Sequence, residues 1–151
     1  MSRQGELWSG LDTTVRFFGR NEHSLDLKGR VILPSRFRAA FEEGGYLSQY
    51  RTRCLALWTP GEFDKQLAEM EAMQDAGPEQ LNLARYLAAG SVAVDIDRQG
   101  RLPIPKSMRD FARLDGDVLV NGAINRVELW SPALWTEKVL PSEQALTGEV
   151  G

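Results

Sequence analysis

Two nine-residue stretches place the same polar groups at the same spacing. Asp26-Leu27-Lys28-Gly29-Arg30-Val31-Ile32-Leu33-Pro34 returns as Asp97-Arg98-Gln99-Gly100-Arg101-Leu102-Pro103-Ile104-Pro105, with Asp, Gly, Arg and the closing Pro each displaced by 71 positions. Asp-x-x-Gly is a turn signature. The Asp carboxylate accepts N–H groups two residues on, and Gly takes a positive φ without steric cost. Lys28 and Arg30 in the first copy, and Arg98 and Arg101 in the second, then stand in or just after a tight turn. This is electrostatic rather than covalent chemistry. Asp26, Gly29, Asp97 and Gly100 shape two loops, and the loops present cations.

The elements that must position these loops are also repeated. Leu55-Ala56-Leu57-Trp58-Thr59-Pro60 matches Val127-Glu128-Leu129-Trp130-Ser131-Pro132 at a displacement of 72. Two motifs held at a nearly constant offset mark a duplicated unit. Each unit reads as strand, tight turn, short strand and short helix, with Pro34 and Pro105 placed to open the helix. In the first unit the spacing of Leu33, Phe37 and Phe41 fits one helix face, ended by Gly44-Gly45; in the second, Ile104, Met108 and Phe111 do the same. Thr14 to Phe18, Arg53 to Trp58 and the alternating Val92, Val94 and Ile96 are strand-like, and Val118–Val120 with Val127–Trp130 predicts a hairpin. Between the units, Thr59-Pro60-Gly61-Glu62 starts one helix carrying Phe63, Leu67 and Met70. Gly77-Pro78 separates it from a second using Leu83, Tyr86 and Leu87. Ser131-Pro132 starts a last helix, and the polar tail beyond Pro141 is expected to fray.

These elements give an α+β fold: a tandem pair of similar β modules over residues 17–62 and 91–134, joined by a helical linker at 63–90. Residues 1–13 are expected to be a flexible extension, with Leu7, Trp8 and Leu11 able to dock locally, and residues 135–151 a C-terminal helix and tail. No apolar run approaches the roughly 18 residues of a membrane span, and the N-terminus lacks an apolar signal core, which predicts a cytoplasmic protein. A single cysteine, Cys54, excludes an intrachain disulfide and a cysteine-cluster metal site, and is expected to be a buried, inert thiol. The one histidine, His23, lacks partners for a metal or nucleophilic site and is expected to be hydrogen-bonded near the turn. No Gly-rich phosphate loop and no nucleophile–base pair is present, so the sequence implies no enzyme, no cofactor and no small-molecule substrate. The net charge is −3, unevenly distributed: residues 1–60 hold nine Lys/Arg against six Asp/Glu, and residues 61–151 hold nine against fifteen. A basic face on an acidic protein is therefore permitted.

The run Phe18-Gly19-Arg20-Asn21-Glu22-His23-Ser24-Leu25-Asp26-Leu27-Lys28-Gly29-Arg30-Val31-Ile32-Leu33-Pro34-Ser35-Arg36-Phe37-Arg38 resembles the MraZ family, a tandem duplication of the AbrB-like swapped-hairpin module (the SpoVT-AbrB domain). The likeness continues through Leu57-Trp58, Asp97-x-x-Gly100-Arg101 and Val127-Glu128-Leu129-Trp130, over roughly residues 17–140. It implies a DNA-binding transcriptional regulator of the division and cell-wall gene cluster, associated with the nucleoid and assembled as a ring-like homo-oligomer. It assigns DNA contact to Lys28, Arg30, Arg98 and Arg101. Gln99 departs from the family pattern, and the extension before Phe17 is longer than usual.

Two readings stay open for Arg30 and Arg101. They can pair with Asp26 and Asp97 across the turn, or they can reach phosphates and bases of double-stranded promoter DNA. The second is favoured by the repeat and the resemblance. Arg36 and Arg38 are candidates for contacts to the DNA backbone, against the plainer reading of Arg36, Arg38, Lys106 and Arg109 as a solvated helix face. The alternative for the whole chain is an oligomeric protein-interaction scaffold with little DNA affinity, suggested by the acids of residues 60–89.

Overall fold

The computed structural model describes residues 15–148; the extension expected at 1–13 lies outside them. The chain is α+β, with eight strands and six α-helices among the described residues. The first unit contains β1 (Glu22–Ser24), β2 (Arg30–Ile32), α1 (Ser35–Arg38), β3 (Gly45–Gln49) and β4 (Leu55–Trp58). The helices α2 (Pro60–Gln74) and α3 (Pro78–Ala89) follow, then β5 (Ser91–Val94), β6 (Arg101–Pro103), α4 (Lys106–Ala112), β7 (Asp117–Gly122) and β8 (Val127–Trp130). The chain closes with α5 (Pro132–Lys138) and α6 (Glu143–Thr147).

Six strands form one antiparallel sheet in the order β1-β7-β8-β4-β3-β5. Read from either end, the sheet meets corresponding strands of the two units, so a pseudo-two-fold axis passes between β4 and β8. There Leu55 faces Leu129 and Leu57 faces Val127. Among the described residues the remaining two strands, β2 and β6, one from each unit, pair only with each other. Each is three residues long, too short to hold itself in place. The ribbon is held by its inner face: Val31 and Leu102 are fully buried in a core shared by both units, with Leu33, Leu47, Leu57, Val120 and Leu129.

Local sequence explains most elements. Thr59 and Ser131 cap α2 and α5, accepting the N–H groups of Glu62 (3.3 Å) and Leu134 (3.4 Å), with a proline in each first turn. Leu33, Phe37 and Phe41 all go inward, although the α-helix stops at Arg38 and a 3₁₀ turn carries Phe41. Three expectations about the elements differ from the structure. Of the stretch expected as a strand, Thr14 lies outside the described residues and residues 15–18 contribute only an isolated bridge between Phe17 and Ile124, because Gly19 turns the chain (φ +100°) before β1 begins. The tail beyond Pro141 continues as a 3₁₀ turn and α6. On α3, Leu83 and Tyr86 are 47% and 54% exposed, and Ala84 is the buried residue. Strand β3, announced by no apolar alternation, is an addition.

Replacing Leu102 by Ala should cost about 2–5 kcal/mol of unfolding free energy, the usual loss for truncating a fully buried leucine. Leu27→Ala, at a fully exposed tip, should stay within about 0.5 kcal/mol of the parent. Denaturant titration of both variants checks this; equal effects would mean that the ribbon is not seated on the core.

Candidate nucleic-acid interface

Each basic loop is organised around one carboxylate. Asp26 Oδ1 accepts the N–H groups of Lys28 and Arg30, both at 2.9 Å, and Oδ2 accepts Arg30 Nε at 2.8 Å. In the second copy, Asp97 Oδ1 accepts the N–H groups of Gln99 and Arg101, both at 2.9 Å, and Oδ2 accepts Arg101 Nε at 2.6 Å. Gly29 (φ +76°) and Gly100 (φ +82°) make the turn with the left-handed backbone that glycine adopts freely. The backbone N–H of Arg30, and then its side chain, hold the Asp26 carboxyl below the ordinary carboxylate range; Arg101 does the same for Asp97, and partial burial opposes the effect in both.

The pairing of Arg30 and Arg101 with their acids is therefore real, and it leaves the second reading standing. Among the described residues, each carboxylate engages only Nε of its arginine's guanidinium, and the two terminal amino groups take no protein acceptor. A guanidinium held along one edge still offers two parallel donors along the other, the geometry that matches phosphate or a base edge.

Strand alternation sets where these donors lie. Val31 and Leu102 point into the core, so Arg30, Ile32, Arg101 and Pro103 occupy the opposite face of the ribbon. The register pairs Arg30 with Pro103 and Ile32 with Arg101. The two arginines are thus diagonal neighbours on one outward face, two residues or about 7 Å apart along the ribbon. Lys28, Arg98 and Leu27 are exposed at the tips, and the Lys28 ammonium and Arg98 guanidinium take no protein acceptor among the described residues.

The loops are braced across the units. The N–H of Leu33 donates to the Gly100 carbonyl (2.7 Å), and the N–H of Ile104 donates to the Gly29 carbonyl (3.1 Å). Arg38 from α1 donates to the Leu33 carbonyl (2.9 Å) and lies over Gly100, where a Cβ would come within 2.3 Å of its Nε. Arg109 from α4 donates to the Ile104 carbonyl and lies over Gly29 in the same way. Arg38 and Arg109 are therefore half-buried supports rather than members of a solvated face; only a 71-residue correspondence between them, with glycine opposite each, could have signalled this. Arg36 is exposed, with Nη2 3.5 Å from the Phe18 carbonyl and its guanidinium 4.8 Å from the Phe37 ring centre. Lys106 pairs with Asp110 at 2.9 Å.

His23 lies half-buried in β1, where burial and then the Arg38 charge lower its pKa. No hydrogen bond to its ring occurs among the described residues, contrary to the expectation. The reason is its place in a strand paired with β7, away from turn acceptors. Cys54 is fully buried, and burial pushes its thiol pKa up. Among the described residues no helix is long and apolar enough to cross a membrane.

The family model described as "MraZ protein, putative antitoxin-like" matches residues 17–85 and again 87–145. The chain belongs to the MraZ family. It is 34% identical over 119 residues to a transcriptional regulator MraZ from Acetivibrio thermocellus, covering 79% of this chain and 83% of that one. It is 33% identical over 129 residues to one from Desulfitobacterium hafniense strain Y51 (85% and 90% covered), and 34% identical over 119 residues to one from Roseiflexus castenholzii (79% and 83%). The twice-matched family model and the pseudo-two-fold sheet describe the same duplication, and these MraZ relatives are named transcriptional regulators, not enzymes.

The low pKa values of Asp26 and Asp97 stabilise the fold above the ordinary value of 3.8, and that stability is lost as pH falls through the depressed folded-state values. Asp26→Asn/Asp97→Asn should unfold more easily than the parent at pH 5–7. The gap should close below about pH 3.8, as the parent carboxyls take up protons. Paired denaturant titrations across that range check it; a gap independent of pH would contradict the role given to the two charges.

Proposed function

We propose that this chain is a sequence-specific DNA-binding transcriptional regulator whose β2–β6 ribbon enters the major groove. The observation that carries the reading is the shared outward face of Arg30 and Arg101, each fixed along one edge by an acid and open along the other. A two-stranded ribbon fits the major groove. The 7 Å stagger of the arginines corresponds to about two base-pair rises. Arg30 and Arg101 contact phosphates or guanine edges, Lys28 and Arg98 contact flanking phosphates, and exposed Leu27 suits a thymine methyl. Arg36, at the margin, is a further candidate for a backbone contact. Arg38 acts through the loop it braces.

One subunit brings too few cations for tight binding at moderate salt. The reading therefore includes a ring-like homo-oligomer that engages several direct repeats in promoter DNA at once, so that effective concentration supplies the affinity. The family relationship points to the division and cell-wall gene cluster as the target and to the nucleoid as the place of action.

Fluorescence anisotropy with the protein's own upstream DNA, across a salt series, tests this. Arg30→Ala should weaken binding about 5- to 150-fold, the range for a lost bidentate base contact, with sedimentation unchanged. Lys28→Ala should reduce the salt slope by about 1 for each Lys28 that contacts a phosphate. Parent-like binding by Arg30→Ala would overturn its role, and absent or salt-insensitive binding by the parent would favour a protein-interaction scaffold.

A further inference from the structure

The two edges of the six-stranded sheet are finished differently. At the β7 edge, the chain before β1 runs on alongside the hairpin: the N–H groups of Val120, Gly122 and Ile124 donate to the carbonyls of Asn21, Gly19 and Phe17, each at 2.8 Å. At the corresponding β3 edge, pairing with β5 ends at Ser48 and Ser91, and the chain before Ser91 is helix α3. Among the described residues the sheet edge beside Gln49 and Tyr50 is therefore not continued.

A cavity of about 740 Å³ lies at that edge, between the sheet and the α2–α3 hairpin. Its size falls within the range of ligand-binding sites. Tyr50, Trp58, Met70, Met73, Leu83 and Tyr86 give it apolar walls. Gln49 also lines it, and Gln49 Oε1 is buried with no hydrogen-bond partner among the described residues, a costly condition for a buried acceptor. An open strand edge, an orphan acceptor and uncovered apolar groups on α3 together suit an extended apolar peptide, which can add main-chain hydrogen bonds at the edge and side chains in the walls.

We propose that the occupant is the chain's own segment Glu6-Leu7-Trp8-Ser9-Gly10-Leu11. Its composition fits, with three large apolar side chains for the walls and Glu6 to meet Arg51 at the rim. Its reach fits as well. Phe17 is bridged to Ile124, and the next residue, Asn125, lines the cavity. The nine residues from Trp8 to Phe17 span up to about 30 Å, twice the roughly 15 Å radius of gyration expected for a chain of this length. Docking covers an edge that would otherwise invite strand pairing with other chains, and it clamps α2 and α3 to the sheet.

Trp8 can be isolated in the intact protein as the difference in emission between the parent and Trp8→Phe. Its emission should be blue-shifted and shielded from acrylamide, and Leu83→Arg, at an exposed position, should shift it red and make it quenchable. In Leu11→Cys/Leu83→Cys, oxidation should protect both thiols from alkylation while the non-reducing gel shows a single-chain mass; buried Cys54 does not compete. A freely quenched Trp8 in the parent, or two alkylatable thiols after oxidation, would overturn the proposal. A band of twice the mass would overturn it in favour of a neighbouring copy's segment.

Discussion

The structure depends on one pairing, that of β2 with β6. Each is a three-residue strand, and each comes from a different half of a duplicated chain. Neither could persist alone, since so short a strand gains too little from hydrogen bonding to offset its ordering. Together they lay Val31 and Leu102 onto a core supplied by both units. The inward direction of those two side chains dictates the outward direction of Arg30 and Arg101. Burial of two apolar residues thus decides where two cations stand.

The loops borrow rigidity from the same pairing. A β-turn with an Asp and a Gly is a local device, but here the carbonyl of each glycine also receives an N–H from the other unit. Arg38 and Arg109 then close over the glycines from their helices. Exposed ion pairs such as Asp26–Arg30 contribute little to stability by themselves. Their effect here is orientational, because a guanidinium fixed along one edge loses less freedom when its other edge meets a partner. The same carboxylate shapes the turn, positions the arginine and reduces net positive charge at the tip, which leaves Lys28 and Arg98 to carry the charge that no acid among the described residues pairs.

Much of this was legible in the sequence, for physical reasons. Asp, Gly, Arg and Pro recur at fixed spacing because each is needed for a specific backbone or charge role, so the turns, the helix starts and the duplication could all be read. Capped helices announced themselves through Thr59-Pro60 and Ser131-Pro132. The pairing partner of β2 could not be read from periodicity, because three residues carry no pattern that distinguishes one strand from another. Strand β3 was hidden behind Gly44-Gly45 and interrupted by Ser48 and Gln49. Leu83 and Tyr86 looked like a core stripe because helical spacing reports an apolar face, not whether the described fold covers it. The apparent choice between an Asp–Arg pair and a ligand contact arose because sequence does not show which guanidinium edge is used.

The two loops form one braced unit through the reciprocal bonds to Gly29 and Gly100. Hydrogen exchange at the amides of Leu33 and Ile104 reports those bonds directly. In the parent both should exchange only on global unfolding, as slowly as Leu57 and Leu129 in the central strands, and in Leu102→Ala both should accelerate together. Exchange at either amide on the fast timescale of an exposed turn, or acceleration of one without the other, would contradict it.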